Sequence, residues 1–229
     1  MKFNYKNIDL PVVGVIPEIQ VKLTTDTTLI VKAPPGAGKS TLVPLTLMNA
    51  PWLKGQKILM LEPRRLAAKT IATRMADLLG EQIGESVGFR IRFENRVGPN
   101  TQIEVVTEGI LTRMIQQDNG LEGVGLVIFD EFHERSIHAD VAMALCREAQ
   151  QILRPDLRIM VMSATLDMPE LSAMLNASVV ISEGRQYPVE ISYSGESDMR
   201  LLPELAARVV KSALQKHEGD ILVFLPGQG

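Results

Sequence analysis

Two short segments of the sequence carry residue types suited to phosphate and metal chemistry. The first is APPGAGKS at 33–40, in which two glycines precede a lysine and a serine. Glycines let backbone N–H groups surround a phosphate, and a helix that begins there adds its positive dipole end. Lys39 could then reach the β and γ oxygens, and Ser40 could ligate Mg²⁺. The alternative is a glycine-rich strand-to-helix turn that binds no ligand.

The second segment is the carboxylate pair Asp130-Glu131, which follows the apolar run 124–129. Ligands bind at the carboxyl ends of the strands in open α/β sheets, so the pair is well placed for a nucleotide site. We assign Asp130 to holding Mg²⁺ and Glu131 to orienting or deprotonating the attacking water. The alternative is an acidic helix start whose charges only complement the helix dipole.

Composition restricts the kinds of protein that this chain can be. Its 229 residues, 45% of them hydrophobic, are enough for one α/β domain and part of another. The net charge is −3, so any contact with nucleic acid must come from a local basic patch. Cys146 is the single cysteine, which excludes an intramolecular disulfide and a cysteine-based zinc site. A single cysteine fits a reducing cytoplasm, and because no long apolar run occurs, we expect a cytoplasmic protein without a membrane partner. We also expect a monomer.

Short aliphatic runs alternate with longer segments of helical periodicity, which predicts an α/β fold with a mainly parallel sheet. The strands are apolar at nearly every position, as expected for parallel strands that are covered on both faces. Strands are predicted at 29–32, 57–61, 103–106, 124–129, 158–162 and 179–181. Helices are predicted between them at 39–49, 66–79, 109–117, 137–153 and 168–175.

The sequence changes character after residue 183. The stretch 184–200 contains glycine, proline and several serines, and it interrupts the periodicity, which is typical of a connection. One helix at 201–215 and one apolar strand at 221–225 are predicted after it. Because a lone helix and strand cannot close a core, we expect 1–183 to form one domain and 201–229 to begin a second, truncated α/β domain.

The carboxylate pair continues into DEFHER at 130–135, which resembles the Asp-Glu-Ala-His box of superfamily 2 helicases. Five more segments look like DEAH-box helicase motifs, and together with this one they occur along the chain in the family's order. They are PRRLAA at 63–68, GFRIRF at 88–93, TEGILTR at 107–113, SAT at 163–165 and FLPG at 224–227. Phe132 in place of alanine, together with Ala33 in place of the first glycine of the phosphate loop, is similar to the bacterial HrpB-like subgroup of ATP-dependent RNA helicases.

This resemblance implies a RecA-like phosphate-loop NTPase domain, the first of two that sandwich ATP or another NTP with Mg²⁺. The second RecA-like domain of the same chain would supply arginines to the γ-phosphate, so we expect little hydrolysis without it. The implied catalytic residues are Lys39, Asp130, Glu131 and His133, the implied metal ligands are Ser40 and Asp130, and the implied nucleotide-binding residues are Pro35, Gly36, Ala37, Gly38, Lys39, Ser40, Thr41 and Arg74.

The resemblance also implies that single-stranded RNA or DNA crosses the domain without sequence specificity. Its expected contacts are Arg64, Arg65, Thr107, Arg90 and Arg92, and the residues expected to couple hydrolysis to strand separation are Ser163 and Thr165. Each has a simpler interpretation as well. The arginines could be solvated surface charges, Thr107 could mark a helix start, and Ser163 or Thr165 could simply cap the next helix. In the coupling role, the hydroxyls of Ser163 and Thr165 are expected to hydrogen-bond the 130–133 turn.

Three functions remain open at this stage. The leading one is an ATP-dependent RNA helicase fragment that acts on single-stranded nucleic acid. The second is a phosphate-loop ATPase that moves no nucleic acid, and the third is a non-enzymatic module in which nucleotide only biases partner binding. Glu131 argues against the third, because a pure switch has little need of a carboxylate that activates water. The absence of an aromatic-rich region before the phosphate loop predicts weak discrimination among ATP, GTP, CTP and UTP.

Overall fold

The computed structural model describes residues 3–165, 168–184, 188–193 and 201–225. The chain divides into two compact units, Met1–Arg185 and Gln186–Gly229. Among the described residues, no helix is long and apolar enough to cross a membrane.

The first unit is built around one sheet, to which the described residues contribute eight strands. These are β1 (Thr28–Lys32), β2 (Lys57–Leu61), β3 (Val87–Ile91), β4 (Glu94–Arg96), β5 (Ile103–Val106), β6 (Val124–Phe129), β7 (Arg158–Ser163) and β8 (Ser178–Ile181). Their order in the sheet is β4-β3-β5-β2-β6-β7-β1-β8. Every neighbouring pair is parallel except β3 and β4, which form an antiparallel hairpin at one edge.

Helices cover both faces of this sheet. They are α1 (Ile16–Thr25), α2 (Lys39–Leu47), α3 (Arg65–Leu79), α4 (Glu108–Gln117), α5 (Ile137–Ile152) and α6 (Met168–Leu175). Successive strand residues point to opposite faces, so Leu29 and Val31 join one hydrophobic core while Ile30 joins the other. The first core is closed by α1, α2 and α3, and the second by α4, α5 and α6.

Hydrogen bonds join the carboxyl ends of the strands into one edge. The Asp130 N–H donates to the Leu61 carbonyl at 3.0 Å, and the Glu62 N–H donates to the Val106 carbonyl at 2.9 Å. On the other side of β6, the Ala33 N–H donates to the Ser163 carbonyl at 3.0 Å. The loops that follow β1, β2, β5, β6 and β7 are therefore held next to one another at this edge.

The α/β fold and all six predicted strands are confirmed, with strand ends that differ from the prediction by one residue at most. The five predicted helices of the first unit are confirmed within two residues at each end. The sequence prediction missed α1 and did not resolve the β3–β4 hairpin, which makes the sheet larger than expected.

In the second unit, α7 (Leu202–Lys216) confirms the predicted helix. The strand predicted at 221–225 is wrong, because these residues have no regular secondary structure. An apolar segment forms a strand only when a neighbouring strand receives its backbone hydrogen bonds, and the described part of this unit offers none.

Candidate functional site

The loop between β1 and α2 has the backbone geometry of a phosphate-binding loop. Gly36 and Gly38 have φ angles of 75° and 88°, in the region that favours glycine. A Cβ on Gly38 would lie 2.7 Å from Leu10 Cδ1, so the loop also packs too closely there for a larger residue. Within the described part of the chain, the N–H groups of Gly38, Lys39 and Ser40 donate to no acceptor. Free donors at a helix start favour an anion.

The other predicted nucleotide residues take different places around this loop. The Ala37 carbonyl accepts the Val12 N–H at 3.1 Å, which fixes the loop to the segment before α1. Pro35 is exposed, and the Thr41 hydroxyl donates to the Gly38 carbonyl at 3.4 Å in the first turn of α2. Arg74 is an exposed residue of α3. The family resemblance implies that Arg74 stacks on the nucleotide base, and this stays a prediction.

Lys39 reaches from α2 to the carboxylate pair after β6. Its Nζ lies 2.7 Å from Glu131 Oε1, and the side chains are 4% and 26% exposed. A buried ammonium group needs a counter-charge, and Glu131 provides one. Because triphosphate oxygens would offer Lys39 a more highly charged partner, the same ammonium can exchange Glu131 for a phosphate.

Asp130 has the environment expected of a residue that binds a cation. Only 2% of it is exposed, and burial raises the pKa of its carboxyl to about 6, although the Ser40 hydroxyl and the Lys39 ammonium act to lower it. Its Oδ1 accepts the Glu131 N–H at 2.9 Å. Its Oδ2 is buried and has no hydrogen-bond partner among the described residues. A buried polar atom normally has a partner, so this oxygen fits a ligand.

Mg²⁺ suits these groups, because it is bound by oxygen and usually by only one or two protein side chains. Asp130 Oδ2 and the neighbouring Ser40 hydroxyl could be those two. Among the described residues, no three or more His, Cys, Asp or Glu side chains form a metal-binding group. The remaining ligands of a Mg²⁺ ion at this place would therefore come from phosphate and water.

The backbone after Asp130 forms a strained turn. Glu131 and Arg135, with φ angles of 48° and 44°, flank the 3₁₀ turn Phe132–Glu134. Positive φ values at non-glycine residues cost energy and persist where surrounding contacts hold them, often at functional sites. Phe132 is buried and packs edge-on against Phe129, with ring centroids 6.0 Å apart. This buried ring anchors the turn to the core.

His133 lies beside Glu131 within this turn. Its Nδ1 is 3.3 Å from Glu131 Oε2 but is buried and has no hydrogen-bond partner in the described part of the chain. The family resemblance implies that His133 forms a hydrogen bond across the cleft to a second domain, and this stays a prediction.

The hydrogen bonds expected from Ser163 and Thr165 to the 130–133 turn are not found among the described residues. Ser163 is buried at the end of β7, and its Oγ accepts the Thr165 N–H at 3.4 Å. Thr165 is exposed and lies two residues beyond the end of β7. The alternative role of these hydroxyls, to cap the next helix, concerns the start of α6 at Met168. Residues 166–167, which precede it, lie outside the described ranges.

Arg64 and Arg65 follow β2 at the start of α3. Arg64 immediately precedes α3 and Arg65 is its first residue, and both are exposed. Cations are disfavoured at a helix N-terminus, so local helix stability does not explain them. The Nη2 atom of Arg64 lies 2.7 Å from Glu134 Oε1 in the turn after β6. This contact links the basic residues to the carboxylate turn.

Thr107 follows β5 at the same edge of the sheet. It is 9% exposed, it precedes α4, and its side chain makes no capping hydrogen bond to that helix. Thr107 therefore marks a helix start, as its simpler interpretation predicts, although its side chain does not cap that helix. Glu108, the next residue, accepts the Ser136 hydroxyl, and Ser136 in turn caps α5 by accepting the Ala139 N–H.

Arg90 and Arg92 have different environments on the β3–β4 hairpin. The Arg90 Nε lies 2.6 Å from Oε2 of Glu104, which is 1% exposed and also bonds Lys57 at 2.7 Å. Burial acts to raise the pKa of Glu104, but the hydrogen bonds from Arg90 and Lys57 hold it below its usual value. Arg90 therefore neutralises a buried carboxylate, whereas Arg92 is exposed at the hairpin tip.

Phe93 is a candidate contact residue that the sequence analysis did not single out. It is 89% exposed at the tip of the hairpin, with a φ angle of 70°, and the guanidinium of Arg92 lies 4.7 Å from its ring centroid. Exposed aromatic rings stack readily on nucleic-acid bases, and a neighbouring guanidinium group adds positive charge for the backbone. The available signal was an aromatic residue beside an arginine at the end of GFRIRF.

Glu62 is a buried carboxylate that was also missed. It is 2% exposed, and burial followed by the charge of Asp130 raises its pKa to about 7. Its Oε1 accepts the Arg64 N–H at 3.2 Å, which fixes the backbone just before α3. No residue pattern indicates this role, since Glu62 directly precedes the recognised segment 63–68.

A parallel α/β sheet with a phosphate loop after β1 and a carboxylate pair after β6 defines a phosphate-loop nucleotide-binding domain. The family model of the DEAD/DEAH box helicases matches residues 15–174. The chain therefore belongs to the DEAD/DEAH box helicase family, which confirms the resemblance drawn from the motifs.

Known proteins agree with this assignment. The chain is 52% identical over 221 residues to the ATP-dependent RNA helicase HrpB of Escherichia coli (strain K12), a match that covers 96% of this chain and 27% of HrpB. It also matches a crystal structure of the E. coli DEAH/RHA helicase HrpB with a TM-score of 0.90, and one of the E. coli DExH-box NTPase HrpB with a TM-score of 0.80. Both are 51% identical and match over 96% of this chain, which spans 28% and 27% of their length.

Proposed function

We propose that this chain is the nucleotide-binding part of an ATP-dependent RNA helicase, which hydrolyses a nucleoside triphosphate with Mg²⁺ while it moves on single-stranded nucleic acid. The carrying observation is that Lys39 meets Glu131 beside the buried Asp130, at the sheet edge that also bears exposed arginines. Family membership and the match to a relative named an ATP-dependent RNA helicase support the proposal.

The phosphate loop would hold the triphosphate through the free N–H groups at the start of α2. Lys39 would exchange Glu131 for the β and γ oxygens, which releases the carboxylate at the place where water must attack. Ser40 and Asp130 would hold Mg²⁺, which supplies positive charge to the phosphate oxygens when bound.

Glu131 would then orient the attacking water and accept its proton. The strained turn fixes the backbone of Glu131 beside the phosphate loop, and its carboxylate lies 2.7 Å from Lys39 Nζ. His133, 3.3 Å from the same carboxylate, would support its orientation or face a second domain.

Nucleic acid would cross the sheet edge over Arg64, Arg65 and Thr107 and continue to the hairpin tip at Arg92 and Phe93. Guanidinium groups suit backbone phosphates, and an exposed ring suits stacking on a base, so binding would tolerate any sequence. Arg90 would act mainly through Glu104, because its guanidinium already has a buried partner. Ser163 and Thr165 would couple hydrolysis to this surface from the end of β7.

We propose that 1–183 is the first RecA-like domain, 184–200 a connection and 201–229 the beginning of the second. Arginines of that second domain would complete the nucleotide site, so this chain alone would hydrolyse ATP slowly. Because the chain spans 27% of the HrpB sequence, activity of the whole protein would require the remainder. We further propose a monomer that works in the cytoplasm.

Neither alternative function is favoured by a particular observation. A phosphate-loop ATPase without nucleic acid would not need Arg64 and Arg65 exposed at a helix start, where they oppose the helix dipole. A non-enzymatic module would not need a strained turn that carries Glu131 to the phosphate-loop lysine.

The test is calorimetric titration of the chain with Mg²⁺ and a non-hydrolysable ATP analogue. We expect wild type to bind, Lys39→Ala to lose binding, and Lys69→Ala to bind like wild type. Lys69 is the matched control because its Nζ also pairs with a glutamate, Glu94, at 3.0 Å. Fluorescence anisotropy should then detect binding of single-stranded RNA by wild type. Equal nucleotide binding by Lys39→Ala and wild type would contradict the proposed site.

A further inference from the structure

One ion pair joins the proposed nucleic-acid surface to the turn that carries the proposed catalytic carboxylate. Arg64 Nη2 lies 2.7 Å from Glu134 Oε1, and the two side chains are 71% and 30% exposed. An ion pair as exposed as this one contributes little to folding and is open to solutes. Its position therefore calls for an explanation other than stability.

Glu134 is fixed more firmly than its exposure suggests. The Glu134 N–H donates to the Glu131 carbonyl at 2.9 Å, which closes the 3₁₀ turn between them. Glu131 contacts Lys39 at 2.7 Å, and Glu134 contacts Arg64 at the same distance. One short turn therefore bridges the phosphate-loop lysine and an arginine of the basic surface.

The backbone on the arginine side is held as well. Glu62, which is 2% exposed, accepts the Arg64 N–H at 3.2 Å. The neighbouring Leu61 carbonyl accepts the Asp130 N–H at 3.0 Å. With its backbone fixed in this way, Arg64 can change partner only by moving its side chain. A carboxylate and a phosphate oxygen are equivalent acceptors for a guanidinium group, so both cannot take the same N–H donors.

We propose that Glu134 is a positioning residue that competes with nucleic-acid phosphate for Arg64, and that this exchange couples RNA binding to the nucleotide site through the Glu131–Glu134 turn. The inference rests on the proposed function, since it requires Arg64 to contact RNA. Phosphate that engages Arg64 releases Glu134, and triphosphate that engages Lys39 releases Glu131. Both carboxylates belong to one turn, so the two exchanges are coupled. Thermodynamic linkage then requires each ligand to change the affinity for the other by the same factor.

The experiment measures the dissociation constant of labelled single-stranded RNA by fluorescence anisotropy, with and without Mg²⁺ and a non-hydrolysable ATP analogue. The variants are Glu134→Gln, Arg64→Ala and the double variant. Asp140→Asn is the control, because it removes a nearby carboxylate from another exposed arginine pair, Arg135 Nη2 to Asp140 Oδ2 at 3.1 Å. It separates competition for one arginine from the general effect of removing a negative charge.

Glu134→Gln should bind RNA roughly two- to fivefold more tightly than wild type without nucleotide, the effect expected when one exposed competing ion pair is lost. Asp140→Asn should change the affinity less. The double variant should bind like Arg64→Ala, because Glu134 acts only through that arginine. The factor by which the ATP analogue changes RNA affinity should also move closer to one in Glu134→Gln.

Two results distinguish failure of this inference from failure of the proposed function. The first result is that Arg64→Ala weakens RNA binding while Glu134→Gln leaves RNA binding unchanged or weaker. Equal tightening by Glu134→Gln in the wild-type and Arg64→Ala backgrounds would have the same meaning. Either outcome refutes the competition and leaves the RNA surface standing. If wild type binds no RNA, or Arg64→Ala binds as tightly as wild type while Mg-nucleotide still binds, the proposed surface itself is refuted and the inference falls with it.

Discussion

Replacing Asp130 with asparagine should stabilise the folded chain near neutral pH. Asp130 is 2% exposed, and burial raises its pKa to about 6 from an ordinary value of 3.8. Since the folded state holds this proton more tightly than the unfolded state, stability falls as the pH rises from the unfolded pKa to the folded one. Above that window, the ionised carboxylate opposes folding in full, and asparagine removes the cost.

The size of the effect follows from the two pKa values. A separation of about 2 units corresponds to about 3 kcal/mol in the free energy of unfolding at about pH 7.5, because each unit is worth about 1.4 kcal/mol. At about pH 4.5 the folded carboxyl is mostly protonated, so the advantage of asparagine shrinks to about 1 kcal/mol. Burial is the largest cause of the raised pKa of Glu62, and the charge of Asp130 is the second. The substitution therefore also makes Glu62 easier to ionise.

Urea unfolding at both pH values measures this difference through the fluorescence of Trp52, the single tryptophan, whose ring lies 4.3 Å from the Arg158 guanidinium. Asp156→Asn is the control, because Arg154 holds the pKa of that exposed carboxyl below its ordinary value and no gain is expected. Mg-nucleotide should stabilise wild type but not Asp130→Asn. A variant that is no more stable than wild type at about pH 7.5, or whose gain does not depend on pH, would refute the reasoning.

Other substitutions test the loop, the buried ion pair and the hairpin tip. Gly38→Ala should lower the free energy of unfolding by about 1–3 kcal/mol and weaken nucleotide binding, because φ is 88° and the new Cβ would meet Leu10; unchanged urea unfolding would contradict this. Arg90→Ala should cost about 1–3 kcal/mol, since Glu104 loses a partner while buried; a loss below about 0.5 kcal/mol would show that Lys57 suffices. Phe93→Ala should leave unfolding unchanged but weaken single-stranded RNA binding by about 1–3 kcal/mol in anisotropy titrations, and unaltered binding would remove the ring from the surface.

Much of the fold could be predicted because most of its strands are apolar at nearly every position, as in β6 with six buried residues in succession. The β3–β4 hairpin was harder, since charged residues such as Arg90 and Glu94 interrupt any apolar run there. The prediction for 221–225 shows the opposite error, because a strand was expected where none forms. The aliphatic residues of this segment have strand composition, but composition supplies no neighbour to accept the hydrogen bonds.

The chemistry of the site was also readable from residue types, because Lys39, Asp130 and Glu131 occur in segments whose spacing is specific. Their meeting depends on strand order, which places β7 between β1 and β6, and the sequence alone does not state that order. Partners from distant segments were invisible for the same reason. The pairing of Arg64 with Glu134 joins residues separated by several elements of the chain.

A crystal structure of the chain with Mg²⁺ and a non-hydrolysable ATP analogue would show the nucleotide site at work. We expect Lys39 Nζ to leave Glu131 Oε1, now 2.7 Å away, for the β and γ phosphate oxygens, with the cation beside Ser40 and Asp130. A structure with nucleotide bound while Lys39 remains paired with Glu131, or with the triphosphate away from Gly36 and Gly38, would contradict this expectation.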